Sequence, residues 1–330
     1  MTAIQPELLK ILACPDCKSS LQIVETEFHC TECQQKFQIQ NGIPLLYPQD
    51  LDISHLREET LLAEMMKQSQ TGNRAEFNAA QWAKAKQEFW NMVHATIGAP
   101  PQTILYIGCG YDPGFQSFQK KGHLFINLDL IADMLETLKE KHGAEACIAG
   151  DMNALPFQKK SLDAIVIIDV LHHETDQLKP ILQGLMDLLK PGGYLFLEDI
   201  NAWGLFQFGK SILMPKSVYQ WARKFYHRFK HAHYAPAEYE FPTSYWMIKR
   251  LLKDLGFSPI QACPTNAYPY LNRFNYRIYQ MFSIFKVVQQ YFNYHYMLSA
   301  QKKHEASPEL SKNKSDFQQM LESVEDKLSP

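Results

Sequence analysis

From residue 103 onward, short runs of apolar residues alternate with longer stretches in which apolar residues recur every three or four positions. Thr103–Ile107 is a continuous apolar run, the pattern of a strand buried on both faces in a parallel sheet, and residues 125–129, Ala146–Gly150, 164–168 and 194–197 read as the strands that follow it. Residues 131–141 and 178–190 have helical spacing, and the second stretch stops at Pro191-Gly192-Gly193. Residues 244–255, ending at Gly256, predict a further helix, and residues 258–263 a further strand. Strand and helix in alternation predict an α/β fold with a Rossmann-like, doubly wound, mostly parallel sheet. Ligands of such sheets bind at the carboxyl ends of the strands.

The flanking regions read differently. Near the start, Leu21–Val24 and residues 28–29 form a hairpin pattern around Glu25-Thr26-Glu27. Residues 51–98 are polar with helical periodicity, Leu56, Leu61, Leu62, Met65 and Met66 on one face and Trp82, Phe89, Trp90 and Val93 on another. They are expected to form a helical linker; such helices are usually packing elements, and position alone makes this one a candidate to cap a cofactor. Beyond the last strand, Phe274, Ile278, Met281, Phe285, Val288 and Phe292 make a helical stripe. The expected organisation is a small β domain over residues 1–50, the helical linker over 51–98 and the α/β domain over 99–265. A basic aromatic insertion at 201–243, an aromatic helical extension at 266–300 and a mobile tail at 301–330 complete it.

Chemistry enters first through cysteine. Cys14, Cys17, Cys30 and Cys33 form two C-x2-C knuckles twelve residues apart, while Cys109, Cys147 and Cys263 are scattered. Two such knuckles bring four thiolates together on one tetrahedral Zn2+, and so small a unit needs the metal to fold. A redox role would require a βαβ pattern around the motif, which is absent here.

The second chemical signal is a glycine turn. Thr103–Ile107 runs into Gly108-Cys109-Gly110, and Asp129 ends the following strand. Glycine lets backbone approach a ligand closely, and an acid at that strand end can bind the hydroxyls of a ribose. Both features suit a dinucleotide or S-adenosylmethionine. A dinucleotide turn would read G-x-G-x-x-G, whereas here Pro113 stands in the third place and Gly114 comes one residue late.

Residues 107–110, Asp129, residues 150–157, 161–164, 170–173 and the run Leu188-Leu189-Lys190-Pro191-Gly192-Gly193 stand in order at consistent spacings. As a set they resemble the class I S-adenosylmethionine-dependent methyltransferases, particularly those acting on quinones and small molecules. The resemblance covers about residues 100–200. It implies that Gly108 and Gly110 lie against the methionine part of the cofactor and that Asp129, with Leu130 beside it, holds the ribose. It further implies that Asp151 accepts from the adenine amino group with Met152 against the ring, and that Asp169, Val170 and Leu171 line the methionine part. Two positions depart from the pattern: Tyr106 stands where the family has an acid, and Asp112 where it has a third glycine. Asp112 is the candidate to replace the missing acid. His172 and His173 follow the fourth strand and are the candidate catalytic bases, with helix capping and packing as the alternative. No Asn-Pro-Pro-Tyr or Asp-Pro-Pro-Tyr motif follows that strand, which argues against amide and base-amino methylation. The first 48 residues, with Leu-Leu-Lys-Ile-Leu-Ala-Cys-Pro-Asp-Cys-Lys from Leu8 and Asn41-Gly42-Ile43-Pro44-Leu45-Leu46, resemble the small zinc-ribbon partner subunits of RNA and release-factor methyltransferases. In that family the ribbon activates or stabilises an enzyme and is not itself catalytic.

Composition narrows the partners. Lys plus Arg is 33 against 35 Asp plus Glu, and 46% of residues are hydrophobic, which excludes a generally basic nucleic-acid binder and global disorder. With no apolar run of membrane-spanning length and no signal-peptide pattern at the start, a cytoplasmic protein is expected. The insertion is an exception: Lys210, Lys216, Arg223, Lys224, Arg228 and Lys230 occur between residues 201 and 237 without a single Asp or Glu. It can be an active-site lid, a peripheral contact with an anionic membrane, an RNA contact or a solvated face. Nucleic acid is the least favoured of the partners, and the pattern does not specify an oligomeric state. The expected activity is methyl transfer to a small-molecule or lipid-like acceptor. An RNA- or protein-modifying enzyme with a built-in ribbon activator, or a non-catalytic cofactor-binding scaffold, are the alternatives.

Overall fold

The computed structural model describes residues 4–53, 56, 60, 73–204, 243–265 and 273–304. The chain opens with helix α1 (Pro6–Ile11) and four short strands, β1 (Leu21–Val24), β2 (Glu27–Cys30), β3 (Lys36–Gln40) and β4 (Ile43–Leu46). β1 to β4 pair as an antiparallel meander. Between β3 and β4 the turn is Asn41-Gly42, both at positive φ (51° and 73°), the tight hairpin for which Asn-Gly is the preferred pair.

Helix α2 (Asn73–Thr96) leads into the large sheet. Its strands are β5 (Thr103–Ile107), β6 (Leu124–Asp129), β7 (Ala146–Gly150), β8 (Leu162–Ile168), β9 (Leu189–Ile200), β10 (Phe257–Cys263) and β11 (His295–Lys302). Helices α3 (Gln116–Lys120), α4 (Ala132–His142), α5 (Leu178–Leu188), α6 (Tyr245–Asp254), α7 (Arg273–Phe282) and α8 (Lys286–Tyr291) connect them. The strand order is β1-β2-β3-β4-β7-β6-β5-β8-β9-β11-β10. β7, β6, β5, β8 and β9 are parallel, and β11 runs antiparallel to both β9 and β10. Alternate residues of β5 feed two cores. Leu105 and Ile107 join one with α1, α5 and α6, and Ile104 and Tyr106 join the other with α2, α3 and α4. The expected doubly wound sheet is therefore present.

The structure departs from the pattern-based expectation at the end of α5 and after the helical extension. Helix α5 ends at Leu188, and Lys190 to Gly193 lie within β9. There Gly192 has φ +81° and the register against β8 shifts between Leu162 and Ala164, so the glycines relieve an irregularity in the strand. The helical extension is present as α7 and α8, but it is followed by β11, which the aromatic stripe did not announce. β11 runs to Lys302, so the first residues assigned to the tail belong to the sheet; residues 305–330 lie outside the described residues, as do residues 205–242 of the insertion. Of the linker faces, Phe89, Trp90 and Val93 are buried, whereas Leu61, Leu62, Met65 and Met66 lie outside the described residues.

The N-terminal unit is continuous with the sheet. β4 pairs in parallel with β7, Leu45 opposite Ala149 and Leu46 opposite Gly150. Leu8, Leu12, Cys14, Phe28, Phe37 and Leu46 belong to the same buried cluster as Leu105 and Ile167.

Candidate active site and metal centre

The strand order reverses between β5 and β8, so the loops leaving these strands diverge around the place where doubly wound sheets bind ligands. Here β5 exits through Gly108-Cys109-Gly110, both glycines at positive φ (65° and 51°). A Cβ on Gly108 would lie 2.2 Å from Val170 Cγ2, so the two loops pack backbone against side chain. At Gly110 a Cβ would only touch Met134 Sδ at 3.9 Å; glycine is needed there for its backbone angle.

Asp129, the last residue of β6, is buried. Its Oδ2 accepts from the Gly110 N–H at 2.8 Å and its Oδ1 from the Ile131 N–H at 3.0 Å. The carboxylate thereby joins the glycine turn to the start of α4. Each carboxylate oxygen can accept a second hydrogen bond, which suits a pair of ribose hydroxyls. Asp151, after β7, is half-buried and takes the Asn153 N–H at 2.8 Å on Oδ1, capping the turn Met152–Ala154. Met152 packs partly buried against the core.

Asp112 is engaged elsewhere. Its Oδ2 receives the Tyr106 hydroxyl at 3.0 Å and Trp90 Nε1 at 3.3 Å and pairs with Lys86 Nζ at 3.2 Å, while Oδ1 caps Gly114 N at 3.1 Å. Four groups of the protein itself thus consume the carboxylate expected to replace the missing acid, and it fastens α2 to the sheet. A Cβ on Gly114 would overlap the Trp90 ring at 2.1 Å, so the late glycine of the turn makes room for that anchor. Burial, then the Asp112 charge, hold the Tyr106 phenol well above its ordinary pKa, so it stays a donor.

After β8 the chain turns sharply at Asp169, a non-glycine residue at φ +59° whose N–H is held by Glu198 O at 2.9 Å. Val170 and Leu171 follow, Leu171 fully buried. His172 is buried with Nδ1 2.7 Å from Asp199 Oδ1 and 3.7 Å from Asp169 Oδ1. A carboxylate partner makes Nδ1 the donor and leaves Nε2 with the lone pair. The His173 ring lies 4.1 Å from that of His172, tilted by 37°. Asp199 also accepts from Thr243 at 3.3 Å, and Thr243 in turn bonds the Tyr296 hydroxyl at 2.7 Å. On the far side of Asp169, His295 points Nε2 at Asp169 Oδ1 at 3.7 Å and Nδ1 at Glu198 Oε1 at 3.2 Å. Burial disfavours the charged His295 ring, but the adjoining Glu198 carboxylate, with Asp169 and Asp199, outweighs it and raises its pKa.

The fold therefore gathers Gly108, Gly110, Asp129, Leu130, Asp151, Met152, Asp169, Val170, Leu171, His172 and His173 at the carboxyl ends of β5 to β8. Glu198, Asp199 and His295 join them unannounced. The acids sit at the end of an apolar strand, where a carboxylate reads as a solvated terminus, and His295 belongs to the unforeseen strand. The cleft lined by His94, Ile97, Pro100, Phe118, Lys121 and His123 lies at the opposite end of the strands and has no part in this site.

In the N-terminal unit the four cysteine sulfurs lie within 4.8 Å of one another, with Cys14 and Cys33 at 3.6 Å and Cys17 and Cys30 at 3.3 Å. Four thiolates about 2.3 Å from a tetrahedral Zn2+ stand about 3.8 Å apart, so the cluster fits that ion with small adjustments. Burial pushes the Cys14 thiol up to about 12, so a thiolate there requires a cation, while hydrogen bonds from Ser19 bring Cys17 down to about 6.

No helix among the described residues is long and apolar enough to cross a membrane. Residues 105–197 match the family described as methyltransferase domain, and residues 5–42 the family described as Trm112p-like protein. A demethylmenaquinone methyltransferase of Renibacterium salmoninarum is 28% identical over 110 residues, 33% of this chain and 46% of that protein. A ubiquinone biosynthesis O-methyltransferase of Xanthomonas campestris is 28% identical over 115 residues, 33% of this chain and 47% of its own. The chain thus spans about half the length of the curated relatives it matches. Among solved structures, an S-adenosylmethionine-dependent methyltransferase of Archaeoglobus fulgidus aligns over 76% of this chain and 100% of its own, with 17% identity and a TM-score of 0.44. The chain carries a Trm112p-like segment at its N-terminus and a methyltransferase domain behind it.

Proposed function

We propose that this protein is an S-adenosylmethionine-dependent methyltransferase acting on a small-molecule or lipid-like acceptor, with a structural Zn2+ in its N-terminal ribbon. The observation that carries the reading is the coincidence of the matched methyltransferase segment with the glycine turn, Asp129 and the Asp169–His173 loop at one switch point. Bound there, the cofactor supplies a methyl group already activated by its sulfonium. The protein then has to align an acceptor with that methyl group and take up a proton. Gly108 and Gly110 leave space for the methionine part, Asp129 accepts from the ribose and Asp151 from adenine. His172 takes the acceptor proton on Nε2, and Asp199 holds the ring in the productive tautomer and stabilises the charge that forms. The relatives named for demethylmenaquinone methylation and ubiquinone biosynthesis favour a quinone-like acceptor.

The Trm112p-like match favours a second reading, a macromolecule-modifying enzyme with the ribbon as its built-in activator. Transfer of radiolabelled methyl to lipid extracts, quinols, protein and RNA, measured side by side, separates the two. Label in quinol or lipid supports the first; label confined to RNA or protein overturns it in favour of the second. Failure of the parent protein to bind S-adenosylhomocysteine in calorimetry would overturn both.

A further inference from the structure

The two loops assigned to the nucleoside end of the cofactor are held from outside the α/β domain, by the cysteine-bearing unit. Tyr47, just after β4, donates its hydroxyl to Leu130 O at 2.8 Å, within the loop that starts at Asp129. On the other loop, Lys18 Nζ donates to Leu155 O at 3.1 Å and to Pro15 O at 2.7 Å. Beside it, Ala13 N–H donates to Pro156 O at 2.9 Å and Gln158 N–H to Ile11 O at 2.8 Å, and Leu12 bridges Phe157. The parallel pairing places Leu46 opposite Gly150, one residue before Asp151. Within the unit, Lys18 follows Cys17 directly and its N–H bonds Cys14 O at 3.0 Å, while Asp16 Oδ1 accepts from Gln49 N at 3.0 Å. The shape of the first knuckle therefore sets where Lys18 lies and ties down the segment after Tyr47.

We infer that the cysteine knuckle is a positioning device for the nucleoside half of the cofactor pocket: a metal on Cys14, Cys17, Cys30 and Cys33 fixes Lys18, which with Tyr47 holds the Asp129–Ile131 and Asp151–Gln158 loops in the binding shape. Cofactor affinity in this chain then depends on metal occupancy of a site that makes no contact with the cofactor. The inference rests on the cofactor reading above and adds the residues that couple the two sites. Coupling of this kind is reciprocal, so the cofactor must also strengthen metal retention by the same factor.

The test uses the full-length chain, its zinc content measured, with S-adenosylhomocysteine affinity read by calorimetry. Lys18→Met and Tyr47→Phe should each keep one zinc and an unfolding temperature close to the parent's, yet bind about five- to tenfold more weakly, the loss of one or two loop-anchoring hydrogen bonds. Amide exchange at residues 129–131 and 151–158 should quicken in the variants. Lys18→Arg, which keeps a donor, should recover much of the loss. Saturating S-adenosylhomocysteine should raise the chelator concentration needed to strip zinc from the parent but not from Lys18→Met. Tyr47→Phe deletes one oxygen and keeps the packing, so it remains informative even where Lys18→Met misfolds. Parent-like affinity in a zinc-loaded Tyr47→Phe, together with ligand-independent zinc release from the parent, overturns the coupling while leaving the cofactor reading intact. No binding by the zinc-loaded parent overturns the cofactor reading and the coupling with it.

Discussion

Three carboxylates and two imidazoles, Asp169, Glu198, Asp199, His172 and His295, meet at the ends of β8, β9 and β11, and all but Asp169 are almost wholly buried. So many buried ionisable groups are tolerable only with partners, and the fold provides two, the His172 imidazole hydrogen-bonded to Asp199 and the His295 ring beside Glu198. Because His295 has its pKa raised, it binds a proton more tightly folded than unfolded. Its contribution to stability is complete below about pH 6.5 and is lost as the pH rises through the folded value. Glu198→Gln removes the main compensation for burial. The variant should be less stable at pH 6 and should lose, or reverse, the decline in unfolding temperature between pH 6 and 8; an unchanged profile would remove this pair from the account. At Asp129, substitution by Asn keeps the shape but not the charge. S-adenosylmethionine binding should weaken by about 1.5–3 kcal/mol, the scale of a charge-assisted hydrogen bond, and equal calorimetric affinity in the folded variant would refute the ribose assignment.

Elements place these residues by their ends. β5 and β8 can pass within contact of each other at their exits only because Gly108 lacks a side chain. Gly108→Ala adds a methyl group 2.2 Å from Val170 Cγ2 at a φ of +65°, so the Val170 side chain must turn or the loops shift, and the backbone angle is strained in either case. Loss of cofactor binding should accompany a fall in stability of about 1–3 kcal/mol, read in urea unfolding. The β4–β7 pairing makes a complementary case. Leu46 is completely buried under the shared sheet. Leu46→Ala should cost about 2–5 kcal/mol in the main unfolding transition of the whole chain. A separate, early transition confined to the ribbon would show that the pairing does not couple the two units.

Across the molecule, one sheet runs from the cysteine ribbon through the parallel strands to the antiparallel β11–β10 edge. β4 covers one side of β7, which would otherwise be an exposed parallel edge, and the ribbon, too small to fold on its own core, leans on that strand. Protein purified without chelator should carry about one zinc per chain, by elemental analysis. Its removal should lower the unfolding temperature of the α/β domain too, since Leu8, Leu12, Phe28 and Phe37 share its core. A metal-free protein of unchanged stability would exclude a structural metal.

Features whose cause lies in neighbouring residues were legible in the sequence. Largely apolar runs gave away β5, β7 and β8 because a strand covered on both faces needs no polar side. Gly108 and Gly110 announced a tight turn because few other residues adopt its angles, and two C-x2-C knuckles point sulfurs together over a few residues. What remained hidden depends on residues far apart in the chain. β11 is a strand because β9 and β10 flank it, and the helical stripe that ends at Phe292 gives no sign of it. Asp112 looks like a loop carboxylate until Trp90, Tyr106 and Lys86 close on it. Neither the His295–Glu198 pair nor the grip of Lys18 and Tyr47 on the cofactor loops has a local signature. Each arises from the order in which the strands assemble, which brings distant side chains into the short range where hydrogen bonds and buried charges act.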